Sequence, residues 1–256
     1  MRAPERLLEV RSLLGTAVGA VVLFSQAACA GSDPVKQCQV EKMQAARNRA
    51  DCLADERITK VNGKTPDFAK CEAAFDKALA SAEEAAAKKD VACRFLDNGD
   101  GTISDLNTLL MWEKKDDGNE VHNKNSRMPW FTAMSGWLSW LNGFGECGSP
   151  DCPSPQAGFA GYTDWRLPTL AELRTILKGG PECSAGAGCV DPVFDSGCTD
   201  GCTVASCSCT ASANYWSSTT KKDAVQDALL LNFKTGSAGN LEKDGHVFVR
   251  AVRGGR

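Results

Sequence analysis

Histidine is scarce in this chain of 256 residues: only His122 and His246 occur. That scarcity argues against His-based catalysis and against a multi-His metal site, both of which need imidazoles in groups. Positive charge is not in excess either. A formal net charge of −3 disfavours a general nucleic-acid or anionic-membrane binder, which is normally basic. There is no G-x-S-x-G elbow, no phosphate-binding Gly-rich loop and no H-E-x-x-H helix, so the usual sequence marks of hydrolases, NTPases and zinc proteases are missing. Carboxylate pairs such as Asp116-Asp117 sit in polar runs, where a solvated loop is the default. Tandem repeats and heptad runs are also missing. The expectation is a protein with no catalytic residue, no metal and no cofactor.

Long apolar runs are limited to one. "LLGTAVGAVVLF" (Leu13 to Phe24) follows the Arg-containing "MRAPERLLEVRS" and precedes the small residues of "SQAACAGSD". The run is too short to span a bilayer comfortably, and the order of charged, apolar and small segments is that of a secretory signal over residues 1–30. Two processing routes stay open. Ala28-Cys29-Ala30 fits the A-x-A rule of ordinary cleavage, whereas Cys29 as an acylated first residue would make a lipoprotein, with Gln26 where Leu is usual. The expected locations are the periplasm, the outer membrane as a lipoprotein, or the cell surface.

Cysteine, by contrast, is plentiful, at 13 residues. Without Cys29 an even set remains, which in an exported chain points to disulfides. Apolar residues make up 43%, enough for a sizeable core, and the length allows one large domain or two small ones.

Residues 36–92 are rich in Ala, Glu, Lys and Arg, with Asn62-Gly63 and Pro66 as the breakers between two segments. Such composition predicts two antiparallel helices joined by a short turn. Cys38 and Cys52 lie 14 positions apart and Cys71 and Cys93 lie 22 apart, so each pair returns to within about 40° of one helix face. A hairpin stapled by Cys38–Cys93 and Cys52–Cys71 follows, with Cys93 beyond the end of its helix because the two spans differ. Its mixed charges suit a stalk or spacer with solvated faces.

From Cys93 onward the pattern is one of short strands and turns. "DNGDGTISD" (Asp97 to Asp105) lacks oxygen donors in the register of a calcium loop, and its Asn-Gly and Asp-Gly pairs predict a hairpin. "PWFTAMSGWLSWLNGF" spaces Trp137, Leu138 and Leu141 on one side of a helix, so its aromatics are expected in the core. Residues 179–213 form a loop-rich insert holding Cys183, Cys189, Cys198, Cys202, Cys207 and Cys209, while Cys147 and Cys152 enclose a short loop. Irregular spacing and export favour disulfides over a zinc site here, with the pairing left open.

"GYTDWRLPTLAELRTILKGGP" (Gly161 to Pro181) holds a capping box, Thr169 with Glu172, opening a helix that presents Leu170, Leu173, Ile176 and Leu177 inward and stops at Gly179-Gly180 and Pro181. Trp165 and Leu167 read as core, and Arg166 as the partner of a nearby carboxylate or carbonyl. "NYWSS", "ALLLNFKTG" and "HVFVRAVRGG" read as closing strands.

"RFLDNGDGTISDLNTLLMW", "GYTDWRLPTLAELRTIL", "NYWSST" and "FVRAVRGG", in this order over residues 94–256, resemble the Lcl C-terminal domain family. This family of bacterial envelope proteins is named after a Legionella collagen-like adhesin that binds sulfated polysaccharides. The resemblance implies an α+β, C-type-lectin-like domain at 93–256, with short strands, two helices and a long cysteine-rich loop region, preceded by the hairpin at 36–92. It also implies structural roles for Trp165, Arg166, Pro168, Thr169, Glu172, Trp216, Arg250 and Arg253. Family members often carry Cys where this chain has Ala251 and around Ser139, so family pairings do not transfer. The R-L-P-T and V-R-G-G elements are similar to the formylglycine-generating enzymes as well, the source of an oxidoreductase alternative that would need a reactive cysteine pair.

By this resemblance the chain is expected to bind or adhere without catalysis, with structural scaffolding as the rival role. Its expected partner is a glycan, a surface polymer or an envelope protein. No nucleic acid is expected, and no membrane contact except through a lipid on Cys29. Seven Lys or Arg against four acids between Thr219 and Arg256 make Lys221, Lys222 and Lys243 the candidates for a polyanion.

Overall fold

The computed structural model describes residues 33–118, 120–144, 157–178 and 189–255. Helix α1 (Pro34–Val61) starts where the Asp33 carboxylate accepts the Val35 amide at 3.0 Å, with Pro34 in the first turn. It ends at Asn62 and Gly63, whose φ of +73° suits a residue without a Cβ. Helix α2 (Phe68–Ala87) is capped by Asp67, which accepts the Lys70 amide at 3.1 Å. Cys38, Ala45, Cys71, Phe75, Leu79, Ala82 and Ala86 line the seam between them. Disulfides join Cys52 to Cys71 and Cys38 to Cys93, the last lying beyond the end of α2.

After the hairpin the chain builds β1 (Phe95–Asp97), β2 (Thr102–Asp105) and β3 (Leu110–Glu113), an antiparallel meander. The Asn98–Gly101 turn between β1 and β2 is held by Asp97 and Asp100, which accept the Gly99 and Thr102 amides at 3.0 Å each. The hairpin is anchored on this sheet. Buried Lys42 donates to Glu83 at 2.9 Å and to Asn107 at 2.6 Å, and Gln39 donates to the Phe95 carbonyl at 3.0 Å.

Strand β4 (Arg127–Met128) leads into a helical stretch: α3 (Trp130–Thr132), a π-helical turn at Ala133–Trp137, and α4 (Leu138–Leu141). Trp137, Leu138 and Leu141 are buried, whereas Phe131, Trp140 and Phe144 are 62%, 46% and 73% exposed. The aromatics of this segment therefore divide between core and surface. It packs on the molecule along one side only, and the widened π turn changes which positions face inward.

Helix α5 (Leu170–Thr175) carries the complete capping box. It ends four residues before Gly179, because Leu177 pairs with Val190 and the Lys178 amide donates to Cys189 O at 2.7 Å. The chain is drawn into a bridge before the glycines are reached. Strands β5 (Asn214–Lys221), β6 (Ala224–Asn232), β7 (Ala238–Glu242), β8 (Val247–Phe248) and β9 (Val252–Gly254) follow. The two sheets run β1-β2-β3-β9 and β4-β8-β5-β6-β7, with β5 and β8 parallel and the other pairings antiparallel.

Strand alternation divides the core in two. Tyr215, Leu231 and Val252 enter one cluster with Ile103, Trp112, Leu173 and Phe194. Their neighbours Trp216, Leu230 and Ala251 enter the other, with Trp137, Leu141, Trp165 and Leu167. The corner around Pro168 ties these parts together. Arg166 pairs with Val252 through the backbone, Pro168 O accepts the Ser218 amide at 2.7 Å, and the Arg166 guanidinium grips Glu172 at 2.8 and 2.6 Å.

Candidate functional site

The last three strands of the larger sheet carry an open groove of about 300 Å³. Asn214 and Asn232 supply amides from β5 and β6, Thr235 and Ser237 supply hydroxyls from the β6–β7 turn, and Asn240 borders the groove from β7 with its side chain on the opposite face, bonded to Asp227. Leu230, Gly239 and Leu241 form the apolar part. A Cβ on Gly239 would come within 3.2 Å of Leu230 Cδ1, so glycine keeps this floor low.

Part of the polar lining is committed to the fold. Asn232 Nδ2 donates to Asn214 Oδ1 at 2.7 Å, Asn232 Oδ1 accepts the Lys234 and Thr235 amides, and Asn240 Nδ2 donates to Asp227 at 2.6 Å. These bonds engage both ends of the Asn232 amide and one end of Asn214. Asn214 Nδ2 and Ser237 Oγ have no partner among the described residues, and both residues are exposed. The groove thus offers oriented donors and acceptors beside a small apolar surface, with no formal charge in its lining.

Lys221, Lys222 and Lys243 gather at the far end of the same sheet, around the β5–β6 turn. Lys243 is occupied: its Nζ donates to Thr220 Oγ1 at 3.0 Å and to Val225 O at 2.9 Å, and lies 4.5 Å from the Trp130 ring centre. Lys221 approaches Asp227 at 4.0 Å. Of the three, Lys222 alone has no partner among the described residues, and Asp223 and Asp244 stand next to the lysines in the chain. A focused cationic patch is not built here.

The remaining motif residues are structural in their contacts. Trp216 is buried and donates to Met128 O at 3.0 Å, and Arg253 pairs with Asp164 and lies over Tyr162. Buried Arg250 donates to Glu113 O, Cys209 O and Thr210 Oγ1 at 3.1, 2.8 and 2.7 Å. Burial pulls its pKa down, opposed by Tyr215 and Glu113.

Next to Arg250 lies an ionic group that sequence reasoning missed. Glu113 is fully buried, 3.0 Å from Lys115 Nζ and 2.8 Å from His122 Nδ1, and it accepts the Ala251 amide at 2.8 Å. Burial would raise the Glu113 pKa, but the Lys115 charge, His122 and the Ala251 amide outweigh it and hold the carboxyl below its usual range. Burial pulls the Lys115 ammonium down, and Glu113 opposes that. The only hint in the sequence was three charges, Glu113 to Lys115, running from the last residue of β3 directly after apolar Leu110 to Trp112.

The cysteine loop packs against this group. Cys198 pairs with Cys209 and Cys202 with Cys207, and Cys189 is also disulfide-bonded. Cys29, Cys147, Cys152 and Cys183 lie outside the described residues. Among the described residues no helix is long and apolar enough to cross a membrane.

With the mixed α and β domain and its braced loop in place, the class is an α+β module. The family model of the Lcl C-terminal domain matches residues 101–253, more than half of the 256 residues. The chain belongs to the Lcl C-terminal domain family, a bacterial envelope-associated domain. No curated protein matched the sequence. The four disulfides between described residues are consistent with export.

Proposed function

We propose that the chain is a non-catalytic binding module of the bacterial envelope that holds an uncharged segment of a glycan in the groove on β5, β6 and β7. The observation that carries this reading is the free Asn214 Nδ2 and the free Ser237 Oγ, bordering the same open groove as Leu230 and Leu241. Sugar hydroxyls need such paired donors and acceptors, and the C–H face of a pyranose ring needs apolar floor. Sulfated polysaccharides, the ligands of the adhesin that names the family, are less well served, because Lys243 and Lys221 are engaged within the protein. Residues 1–30 serve export in this reading, delivering the protein to the periplasm, the outer membrane or the cell surface.

The test is a saccharide binding screen on the full oxidised chain at low and high salt. Saturable binding with an affinity unchanged by salt is expected, and N214A and S237A should each weaken it by about 2–10-fold. Failure to bind any neutral saccharide overturns the proposal. Binding that collapses with salt and ignores both variants moves the site to the lysine end. A scaffold role is favoured by one separate observation, the exposed Phe131, Met134 and Trp140 of a single helical segment, with exposed Phe144 just beyond its end.

A further inference from the structure

The outer strand of a sheet exposes unpaired N–H and C=O groups, and most proteins cover or shorten such edges. The two sheets here have four edges, and three are closed. On β1, Phe95 O accepts the Gln39 side chain at 3.0 Å. On β9, Val252 exchanges amide bonds with Arg166 at 2.9 Å each. Strand β4 is two residues long, and Met128 O accepts the Trp216 indole at 3.0 Å. The fourth edge, β7, has no such cover among the described residues. It contains no proline, and it pairs with β6 in an unbroken register.

Antiparallel pairing fixes which groups β7 leaves free. The Lys243 amide donates to Gln226 O and the Asn232 amide to Ser237 O, both at 2.9 Å. Bonded pairs recur at every second residue between these two. Gly239 and Leu241 therefore turn their backbone groups towards β6, and Ala238, Asn240 and Glu242 turn theirs outward. Of the outward groups, Glu242 O alone has a partner among the described residues, the Gly245 amide at 2.9 Å. The side chains of Ala238, Asn240 and Glu242 are exposed as well.

We propose that this edge pairs with the same edge of a second copy of the chain, antiparallel about Asn240, to make a twofold dimer with one continuous sheet. A twofold contact joins a surface to itself, so the strand must be self-complementary. In this register Asn240 faces Asn240 and exchanges amide bonds with it, and the Glu242 amide meets the free Ala238 carbonyl. On the other face of the sheet Leu241, 41% exposed, stands opposite Gly239 of the second copy, so the bulkiest side chain of β7 meets the position that has none. Charge and length select the register. Glu242 faces uncharged Ala238, whereas centring the pair on Glu242 sets two carboxylates against each other, and centring it on Ala238 runs Asn240 and Glu242 past the end of the other strand. A contact of five residues on each side is small for a stable interface, so the dimer forms at high concentration and dissociates readily. The inference goes beyond the saccharide reading and does not rest on it.

Sedimentation equilibrium of the full oxidised chain, from about 1 μM to about 1 mM, should show a monomer–dimer equilibrium. A238E sets a carboxylate opposite Glu242 on both sides of the twofold axis and should weaken the dimer by about 2–10-fold; A238K sets an ammonium there and should strengthen it by about as much. Amide hydrogen exchange read by NMR tests the same contact in the wild type. Raising the concentration should slow the Asn240 and Glu242 amides, while Gly239 and Leu241, already bonded to β6, stay as they were. A chain that is monomeric at the highest concentration overturns the proposal. So does a dimer that ignores both Ala238 variants, or one that slows other amides in place of Asn240 and Glu242.

Discussion

Replacing Glu113 by Leu would leave a buried cation without its anion. Lys115 is 1% exposed on its side chain, and without Glu113 it keeps only the Val121 carbonyl at 3.4 Å and the Trp137 ring at 4.8 Å. Breaking one side of a buried ion pair costs about 3–5 kcal/mol. The Ala251 amide, which donates to Glu113 at 2.8 Å, loses its acceptor as well, adding about 1–3 kcal/mol. For a chain of this size each kcal/mol moves the melting temperature by about 2–4 °C, so E113L should melt about 10 °C or more below wild type. The double variant E113L/K115M removes the orphaned ammonium and replaces the pair with apolar groups of similar volume. It should melt at least about 5 °C above the single variant. Circular dichroism of the oxidised protein during heating and in urea measures both. If E113L melts with wild type, or the double variant melts no higher than E113L, the buried Glu113–Lys115 pair does not contribute to stability in this way.

In the helical hairpin, C38S/C93S should cost more than C52S/C71S. The closed loops span 55 and 19 positions, which by chain entropy gives about 4 and about 3 kcal/mol in urea titrations. T169A should lower stability by about 1 kcal/mol through loss of the cap on the Glu172 amide, whereas T169S should be nearly neutral. Acid should destabilise the protein through Glu113 and Glu172. Burial pushes the Glu172 carboxyl up, but Arg166 and Thr169 prevail and hold it below its usual range, as Lys115 and His122 do for Glu113. A carboxyl with a lowered folded pKa contributes fully above the unfolded value of about 4.3, and the contribution drains as pH falls through the folded value. Urea midpoints should therefore fall below about pH 4.3, and less steeply in E172Q; an identical slope would show that Glu172 gains nothing from folding.

Local features were legible because their partners lie within a few residues. Thr169 and Glu172 are three apart and cap the same helix turn, so the capping box can be read without knowing what the helix packs on. Asn98 to Gly101 make a turn through the carboxylates of Asp97 and Asp100. Helix α5 shows where such reading stops. Its glycines are plain in the sequence, but the bridge from Leu177 to Val190 ends the helix first. Strand β7 was missed altogether, since "AGNLE" has little apolar content and exists by pairing with β6. Lys243 looked like a free surface cation until the β5–β6 turn and Trp130 were brought to it.

The sequence by itself determined the helical hairpin and its turn, the caps, the tight turns and the alternation that sends Tyr215 and Trp216 into opposite cores. These follow from backbone preference and from spacings of two to four residues. The tertiary structure decided the amide groove and the burial of Glu113 with Lys115 and His122. The groove joins three strands, and Glu113 meets the Ala251 amide across 138 positions. Such meetings depend on how two sheets and a loop pack, which no local pattern encodes.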